Sequence, residues 1–375
     1  MSKVLIIGGE PKSLIQFRGK LLESFKKYHY KVVACANGSC PDTISQLSKI
    51  GVDYVPARIM RASFNPLNDL IFFFQLILII RRVRPDIVLT YTVKPVIYGM
   101  LATRLLGIKK RYALITGLGY AFTSVDTLPK KILIGVVSFL YKIALLKAAI
   151  VFFQNNNDLD FFKENKLIKQ KVLTKRVMGS GVDINYYSYT ELPTDKVSFL
   201  LIARLLNDKG IREYVKAAEL VKKMRPNIDV IFSLLGPFDT NPSAIQPRTI
   251  EKWVDAGHIQ YEGEAEDVRP YIAKCSVFVL PSYREGMPRS VLEAMSMGRA
   301  IITTDSPGCR DTVIENINGY LVPVKSINEL SNAMISCLDN RNSLIKMGIK
   351  SRSMIEKDFD VQKVNNEILK AMEIL

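Results

Sequence analysis

Short apolar runs alternate with helical stretches twice along this chain, once in each half. Apolar runs of this kind predict parallel strands that are covered by helices on both faces of a sheet. Between the two series lies the polar stretch 186–196, which predicts a linker. The pattern therefore predicts an α/β fold of two doubly wound, Rossmann-like domains, with a ligand cleft between them at the carboxyl ends of the strands.

The chain has 375 residues, which is too long for one ordinary hydrophobic core. We predict an N-terminal domain at 1–190, a C-terminal domain at 191–357, and a last helix at 358–375 that packs back on the N-terminal domain. The predicted strands of the first domain are 4–8, 31–36, 53–55, 86–90, 111–115, 150–154 and 172–178. Those of the second domain are 197–202, 229–235, 259–262, 277–280, 300–304 and 320–322.

Five cysteines lie at positions 35, 40, 275, 309 and 337, and no two of them have the spacing of a zinc finger or a redox pair. The scattered positions of the cysteines predict that they are small buried residues of a protein in a reducing compartment. The chain opens directly into a strand and the glycine turn Gly8-Gly9, which predicts that it has no secretory signal.

The net charge of +16 is concentrated in the first 150 residues. Residues 1–150 carry 22 Lys and Arg against 7 Asp and Glu, giving +15, whereas residues 151–375 carry 30 against 29, giving +1. So large a positive charge favours nucleic acid, anionic lipid or phosphorylated substrates as binding partners. No nucleic-acid motif and no stacking aromatic residues accompany the basic positions, so we predict no nucleic-acid partner.

Two strongly apolar segments, 71–83 and 129–149, are flanked by Lys and Arg, and neither contains an uninterrupted apolar run near the ~20 residues needed to cross a bilayer. In the second, Lys131, Gly135, Ser138 and Lys142 fall on one polar stripe of a helix whose other faces are apolar. Such a helix can lie in a membrane interface or cover a sheet as an ordinary core helix, and the sequence leaves both readings open. In the first segment the arginines at its end suit a helix C-terminus.

The stretch after the apolar run 277–280 carries two glutamates eight residues apart, Glu285 and Glu293. The run predicts a strand, the Gly/Pro stretch a loop, and the residues beyond it a helix, with Pro288 at an early helical position and Ser290 in or near the first turn. Backbone N–H groups at such a helix start attract phosphate. The glutamates would accept hydrogen bonds from sugar hydroxyls beside that phosphate.

Arg204 and Lys209 lie five residues apart, immediately after the predicted strand 197–202. Two cations at a sheet end can bracket a diphosphate, the arginine as a bidentate fork and the lysine as a point charge. The alternative is a solvated loop in which Asp208 caps a helix. Two glycine turns, Gly8-Gly9 and 117–119, allow either close approach of a ligand or simple chain reversal.

No metal site or catalytic triad emerges from the sequence. The pair Asp158 and Asp160 follows three asparagines that form a capping cluster at a helix start, where acidic residues in the first turn suit the helix dipole. The two histidines, His29 and His258, occupy predicted surface turns. We therefore predict no metal and no cofactor, and a chemistry that depends on carboxylates, cations and backbone dipoles.

The C-terminal half resembles glycosyltransferase family 4. The residues that carry the resemblance are Ala203-Arg204, Lys209-Gly210, Leu280-Pro281-Ser282, Glu285-Gly286, Glu293-Ala294, Gly298-Arg299-Ala300-Ile301, Gly308 and Asn318-Gly319. The resemblance implies the GT-B architecture and a retaining, metal-independent transfer from a nucleotide sugar, usually UDP-linked.

The resemblance also implies roles for single residues. Arg204 and Lys209 would hold the donor diphosphate, Glu293 the ribose, and Glu285 the hydroxyls of the transferred sugar. The implied donor-binding set is Gly9, Arg204, Lys209, Glu285, Gly286, Met287, Pro288, Ser290 and Glu293, and the catalytic set is Glu285, Arg204 and Lys209.

The N-terminal half is similar to a subgroup that builds bacterial glycans on polyprenyl diphosphate and includes α-1,3-N-acetylgalactosaminyltransferases. The similarity lies in Arg61-Ala62-Ser63, Asn65-Pro66 and Gly117-Leu118-Gly119-Tyr120. Many family members carry a histidine in the loop occupied here by 116–119, and this chain has none there.

The function that we predict is transfer of a hexose or N-acetylhexosamine, N-acetylgalactosamine as the first choice, from a UDP-sugar to a polyprenyl-diphosphate-linked saccharide. Lys94, Gly117 and Gly119 are the predicted acceptor residues, and an anionic membrane surface is a further predicted partner. The predicted location is the cytoplasmic face of the inner membrane, with peripheral attachment. The alternatives are a UDP-sugar epimerase of the same architecture and a basic adaptor without catalysis.

Overall fold

The computed structural model describes residues 1–59, 66–119, 122, 128–193, 196–241 and 243–375, without the side chains of 129 and 130. The chain divides into two compact units. The N-terminal unit is Met1–Ser180 together with Gln362–Leu375, and the C-terminal unit is Gly181–Val361. Each unit is built on its own parallel sheet.

The N-terminal unit contains a seven-stranded parallel sheet in the order β3-β2-β1-β4-β5-β6-β7. Its strands are short and almost wholly apolar because both faces of the sheet are covered. They are β1 (Lys3–Ile7), β2 (Lys31–Asn37), β3 (Asp53–Ala57), β4 (Ile87–Tyr91), β5 (Lys110–Ile115), β6 (Ile150–Phe153) and β7 (Leu173–Arg176).

Helices cover both faces of this sheet because alternate residues of each strand point to opposite sides. One face, with Val4 and Ile6 of β1, packs on α1 (Pro11–Gln16), α2 (Gly19–Lys27), α3 (Pro41–Lys49) and the last helix, α14 (Val361–Ala371). The other face packs on α4 (Pro66–Val83), α5 (Met100–Leu105) with the π-helical turn Pro95–Gly99 before it, α6 (Leu128–Ala144) and α7 (Asn156–Glu164).

The C-terminal unit contains a six-stranded parallel sheet in the order β10-β9-β8-β11-β12-β13. The strands are β8 (Val197–Ile202), β9 (Val230–Leu235), β10 (Gln260–Tyr261), β11 (Val277–Leu280), β12 (Ala300–Thr304) and β13 (Gly319–Val322). The helices are α8 (Ile211–Met224), α9 (Pro247–Asp255), α10 (Arg269–Lys274), α11 (Arg289–Ser296), α12 (Ile327–Asp339) and α13 (Arg341–Met354).

The predicted fold class of two doubly wound, parallel-sheet domains is confirmed. In each sheet the strand order reverses beside the first strand of the unit, β1 or β8, which is where ligands bind in open α/β sheets. Three strands differ in length from the prediction by two residues or more: β3 extends to Ala57, β7 is only Leu173–Arg176, and β10 is two residues long.

No helix in the described ranges is long and apolar enough to cross a membrane.

Candidate active site

Arg204, Lys209 and Glu285 lie on the loops that leave the carboxyl ends of β8 and β11, two neighbouring strands. The loops are held together by backbone contacts, since Tyr283 N donates to Asp208 O at 2.9 Å. Gly210, at a φ of 71°, allows the close approach, because a Cβ there would lie 2.0 Å from Pro281 O. The fold thus brings two separate sequence motifs to one edge of the sheet.

Lys209 and Glu285 form an ion pair in this structure. Lys209 Nζ donates to Glu285 Oε1 at 2.6 Å, and only 16% of each side chain is exposed. Because water has limited access, the pair is screened less than a surface ion pair. A cation and a carboxylate therefore lie side by side at the carboxyl ends of the strands. There the cation could bind a phosphate and the carboxylate a hydroxyl.

Arg204 pairs with Asp239, a residue that the sequence analysis missed. Arg204 Nη1 donates to Asp239 Oδ2 at 2.7 Å, with 49% of the arginine side chain exposed and 18% of the aspartate. Asp239 follows the carboxyl end of β9, the strand beside β8. That position after a strand end was the signal that could have identified it.

The second glutamate lies on α11 and is held by two neighbours. Arg289 Nε donates to Glu293 Oε1 at 2.9 Å, and the Tyr187 hydroxyl is also hydrogen-bonded to Glu293. Arg289 additionally donates to the Gly181 carbonyl. Only 12% of the Glu293 side chain is exposed, and this burial raises the pKa of the Glu293 carboxyl, while Arg289 and Tyr187 act in the opposite direction.

Neither Arg289 nor Tyr187 was assigned a role from the sequence. The spacing of Arg289 and Glu293 is i, i+4, which on a helix predicts contact and could have identified the arginine. Tyr187 comes from the linker stretch and carries no comparable signal. Pro288 is the N-cap of α11 rather than an early helical residue, because its backbone is extended, at a φ of −73° and a ψ of 104°.

Ser290 lies in the first turn of α11, and its Oγ donates to Ile202 O at 3.1 Å, which ties the helix start to the end of β8. The backbone of Glu285 is fixed from another side, since Glu285 N donates to Pro307 O at 3.0 Å. Gly308, at a φ of 79°, allows this contact, because a Cβ there would lie 2.5 Å from Glu285 O. Gly286 and the buried Met287 follow directly in the same loop.

The residues predicted for the N-terminal domain all lie in the N-terminal unit. Lys94 Nζ donates to Asp69 Oδ1 of α4 at 2.6 Å, and Tyr98 OH donates to Asp69 Oδ2 at 3.1 Å. Gly9, Gly117 and Gly119 follow the ends of β1 and β5. The motif residues Arg61, Ala62, Ser63, Asn65 and Tyr120 lie outside the described part of the chain.

The Asp-x-Asp pair lies in α7, just after the asparagine that caps the start of this helix. Asp158 N donates to Asn155 Oδ1 at 2.8 Å, so Asn155 is the N-cap of α7. Asp158 is buried and Asp160 is exposed, so the two carboxylates do not face a common site. In the described ranges no group of three or more His, Cys, Asp or Glu could hold a metal ion.

Replacing Asn155 with alanine should therefore lower the free energy of unfolding by about 1 kcal/mol, because the helix loses its N-cap hydrogen bond. Urea unfolding followed by circular dichroism measures this change. The control, Asp160→Ala, removes an exposed carboxylate from the same helix and should leave stability within about 0.5 kcal/mol of the parent. Equal stability of the two variants would contradict the capping role.

Two family models match the chain. The model described as Glycosyl transferases group 1 matches residues 196–340, and the model described as Glycosyl transferase 4-like matches residues 14–155. The first range contains Arg204, Lys209, Glu285 and Glu293.

Relatives of known name align with most of the chain. It is 27% identical over 339 residues to the N,N'-diacetylbacillosaminyl-diphospho-undecaprenol alpha-1,3-N-acetylgalactosaminyltransferase of Campylobacter jejuni, covering 88% of this chain and 87% of that protein. It is 24% identical over 301 residues to the UDP-Gal:alpha-D-GlcNAc-diphosphoundecaprenol alpha-1,3-galactosyltransferase of Escherichia coli, covering 76% and 74%. Anabaena HepE, solved in complex with UDP and glucose, has the same fold, with a TM-score of 0.77 and 16% identity over 100% of both chains.

Proposed function

This chain is a glycosyltransferase of the group 1 and 4-like families, and from that premise we propose that it transfers a sugar from UDP to a polyprenyl-diphosphate-linked saccharide. The observation that carries the proposal is the Lys209–Glu285 ion pair, with its nitrogen and oxygen 2.6 Å apart at the carboxyl edge of the second sheet. A diphosphate needs the cation, and a sugar hydroxyl needs the carboxylate.

Binding of the donor would replace two ion pairs within the protein by contacts between the protein and the donor. Arg204 and Lys209 are held by Asp239 and Glu285 in this structure. Both cations would donate hydrogen bonds to the diphosphate. Glu285 would then accept hydrogen bonds from hydroxyls of the transferred sugar. Ser290 lies at the helix start, where backbone N–H groups favour the distal phosphate.

The chemical step would break the bond between the anomeric carbon and the UDP oxygen and form a bond to the acceptor oxygen on the same face of the sugar. Negative charge would then grow on the departing diphosphate, and Arg204, Lys209 and the start of α11 would stabilise it. The acceptor hydroxyl gives its proton to an oxygen of the leaving phosphate. On this scheme the transfer retains configuration and requires neither a histidine base nor a metal ion.

The proposed donor sugar is N-acetylgalactosamine, and the relative from Campylobacter jejuni supports it by its name. The names of both relatives also support an acceptor on undecaprenyl diphosphate. The excess of 22 basic over 7 acidic residues in positions 1–150 suits such an acceptor and an anionic membrane surface. We therefore place the enzyme peripherally on the cytoplasmic face of the inner membrane.

The test is a panel of UDP-sugars incubated with a short-chain polyprenyl-diphosphate saccharide, with products read by mass spectrometry. We expect one UDP-sugar, UDP-N-acetylgalactosamine, to extend the acceptor by a single residue. No extension with any UDP-sugar would contradict the proposal. A parallel incubation without acceptor tests the epimerase alternative, which predicts a changed UDP-sugar.

Replacing Arg204 with alanine should lower turnover about tenfold, because one charge-assisted hydrogen bond to the diphosphate is worth about 1.5–3 kcal/mol and this side chain is half exposed. The control is Arg225→Ala, since Arg225 pairs with Asp339 at 2.8 Å in the same unit, after α8. Steady-state kinetics should show a normal rate for the control. Normal turnover of Arg204→Ala would contradict the role of this arginine.

A further inference from the structure

Helix α4 exposes one apolar stripe. Phe72, Leu76 and Ile80 pack into the core of the N-terminal unit, whereas other large apolar side chains of the helix face solvent. The exposed ones are Leu67, Leu70, Ile71, Phe74 and Leu78. They fall at i, i+3, i+4, i+7 and i+11, so they form a continuous line along one face of the helix.

Helix α6 repeats this arrangement. Val137, Tyr141 and Ala144 are buried, and Leu128, Ile132, Val136 and Phe139 are exposed at i, i+4, i+8 and i+11. Beside this second apolar line, Lys131 and Lys142 are exposed as well. The polar stripe predicted from the sequence therefore lies on the solvent side, next to apolar residues that also point outward.

The two stripes belong to one face of one unit. Helices α4 and α6 both pack against the π-helical turn Pro95–Gly99 and α5, on the same side of the seven-stranded sheet. Leu105 of α5 is exposed as well. Monomeric proteins rarely expose so many large apolar side chains together, and such patches mark interaction surfaces.

The charge on the elements that carry this surface is mostly positive. The three helices and the π-helical turn contain six Lys or Arg and a single acidic residue, Asp69, whose side chain is mostly buried and pairs with Lys94. Arg81 and Arg82 are exposed at the end of α4. Apolar residues beside cations, with almost no acid, are the pattern of helices that lie in the headgroup region of an anionic bilayer.

We propose that the exposed stripes of α4 and α6, with Leu105 between them, insert into the headgroup region of an anionic phospholipid membrane. The apolar side chains enter the lipid, and Arg81, Arg82, Lys131 and Lys142 contact lipid phosphates. The attachment deepens the proposed function, since an acceptor on undecaprenyl diphosphate is itself in the membrane. Binding to lipid alone, however, requires neither donor nor acceptor, so it can be tested separately.

The test is co-sedimentation of the full chain with vesicles of phosphatidylcholine and phosphatidylglycerol, in the absence of substrates. The variant Phe74→Gln/Phe139→Gln changes two side chains that are 55% and 61% exposed, so folding should be unaffected. We expect its apparent affinity for the vesicles to fall about tenfold or more, because the two aromatic rings no longer transfer apolar surface from water into the lipid. High salt should weaken binding of the parent without abolishing it, since the apolar contribution is not screened.

The matched control is Leu173→Gln/Ile349→Gln, which changes side chains that are 67% and 55% exposed on β7 and α13. It should bind vesicles like the parent chain. Equal binding by Phe74→Gln/Phe139→Gln, or no sedimentation of the parent at low salt, would overturn the proposal. A dimer in solution that this variant dissociates, without vesicle binding by the parent, would assign the surface to a second copy of the chain instead.

A water-soluble acceptor with a short prenyl chain separates this inference from the proposed function. With that acceptor, Phe74→Gln/Phe139→Gln should transfer sugar at the parent rate. Lost vesicle binding with retained transfer supports membrane docking through this face. Retained vesicle binding with no transfer by the parent would overturn the proposed function and leave the docking surface intact.

Discussion

Replacing Lys209 with alanine is expected to lower turnover about a hundredfold, because removing one preorganised donor to a developing charge costs about 2.7–4 kcal/mol. The side chain is only 16% exposed, and its nitrogen lies 2.6 Å from Glu285 Oε1. Arg204 is three times as exposed, at 49%, so water can substitute more readily for its charge. We therefore expect the loss at Lys209 to exceed the loss at Arg204.

The partner residue gives a second measurement on the same pair. Glu285→Ala should lower turnover about tenfold or more, because the sugar loses a hydrogen-bond acceptor and Lys209 loses its neighbour. The effects of substitutions at two residues in direct contact are not additive. The rise in activation free energy of the double variant should therefore be smaller than the sum of the rises in the two single variants. The measurement is a double-mutant cycle: initial rates at saturating UDP-sugar for the parent, the two single variants and the double variant. Thermal unfolding of each protein checks the fold.

A control pair exists on α8, where Lys223 Nζ lies 2.7 Å from Glu219 Oε1 and both side chains are more exposed. Alanine at either position should leave turnover within about twofold of the parent, because exposed ion pairs contribute little. Near-normal turnover of both Lys209→Ala and Glu285→Ala would show that the ion pair is structural and that the diphosphate binds elsewhere.

The fold was predictable because its strands are buried on both faces and so are continuous apolar runs in the sequence. Strands β8, β11 and β12 coincide with the predicted ranges residue for residue. The largest errors in strand length lie in the edge strands β3, β7 and β10. An edge strand has one neighbour and less burial, so its apolar signal is weaker and its limits depend on tertiary contacts.

The positions of the candidate site residues were predictable where the sequence carried a local pattern. The strand–loop–helix pattern located Glu285 and Glu293 at a sheet edge, and the spacing after β8 located Arg204 and Lys209. The partners of these residues could not be derived, since Asp239 pairs with Arg204 across 35 positions and Lys209 with Glu285 across 76. Such pairings are set by the order of strands in the sheet, which single-sequence patterns do not determine.

Replacing Arg289 with leucine is expected to make donor binding depend on pH. Burial already raises the pKa of the Glu293 carboxyl, and Arg289 is the main group that lowers it. Without the arginine this pKa should rise further, so Glu293 stays protonated up to a higher pH than in the parent. A protonated carboxyl accepts hydrogen bonds from the ribose hydroxyls less strongly.

The sign of the effect follows from which form binds. The carboxylate form is populated above the pKa, so the Michaelis constant for the UDP-sugar should be lowest at high pH and rise as the pH falls. We expect the Michaelis constant of Arg289→Leu to rise by up to about tenfold towards the acidic end of the pH profile, equivalent to the loss of one charge-assisted hydrogen bond. The diphosphate of a UDP-sugar does not titrate in this range, so the change reports on the enzyme.

Two further variants separate this account from a general loss of structure at the start of α11. Arg289→Lys keeps a cation near Glu293 and should restore much of the pH profile, even though it cannot reproduce both contacts, to Glu293 and to the Gly181 carbonyl. Glu293→Gln removes the titrating group, so its Michaelis constant should be raised at every pH and should not change with pH. If Arg289→Leu and Arg289→Lys share one profile, or if Glu293→Gln keeps the slope of Arg289→Leu, then Glu293 is not the group whose protonation weakens donor binding.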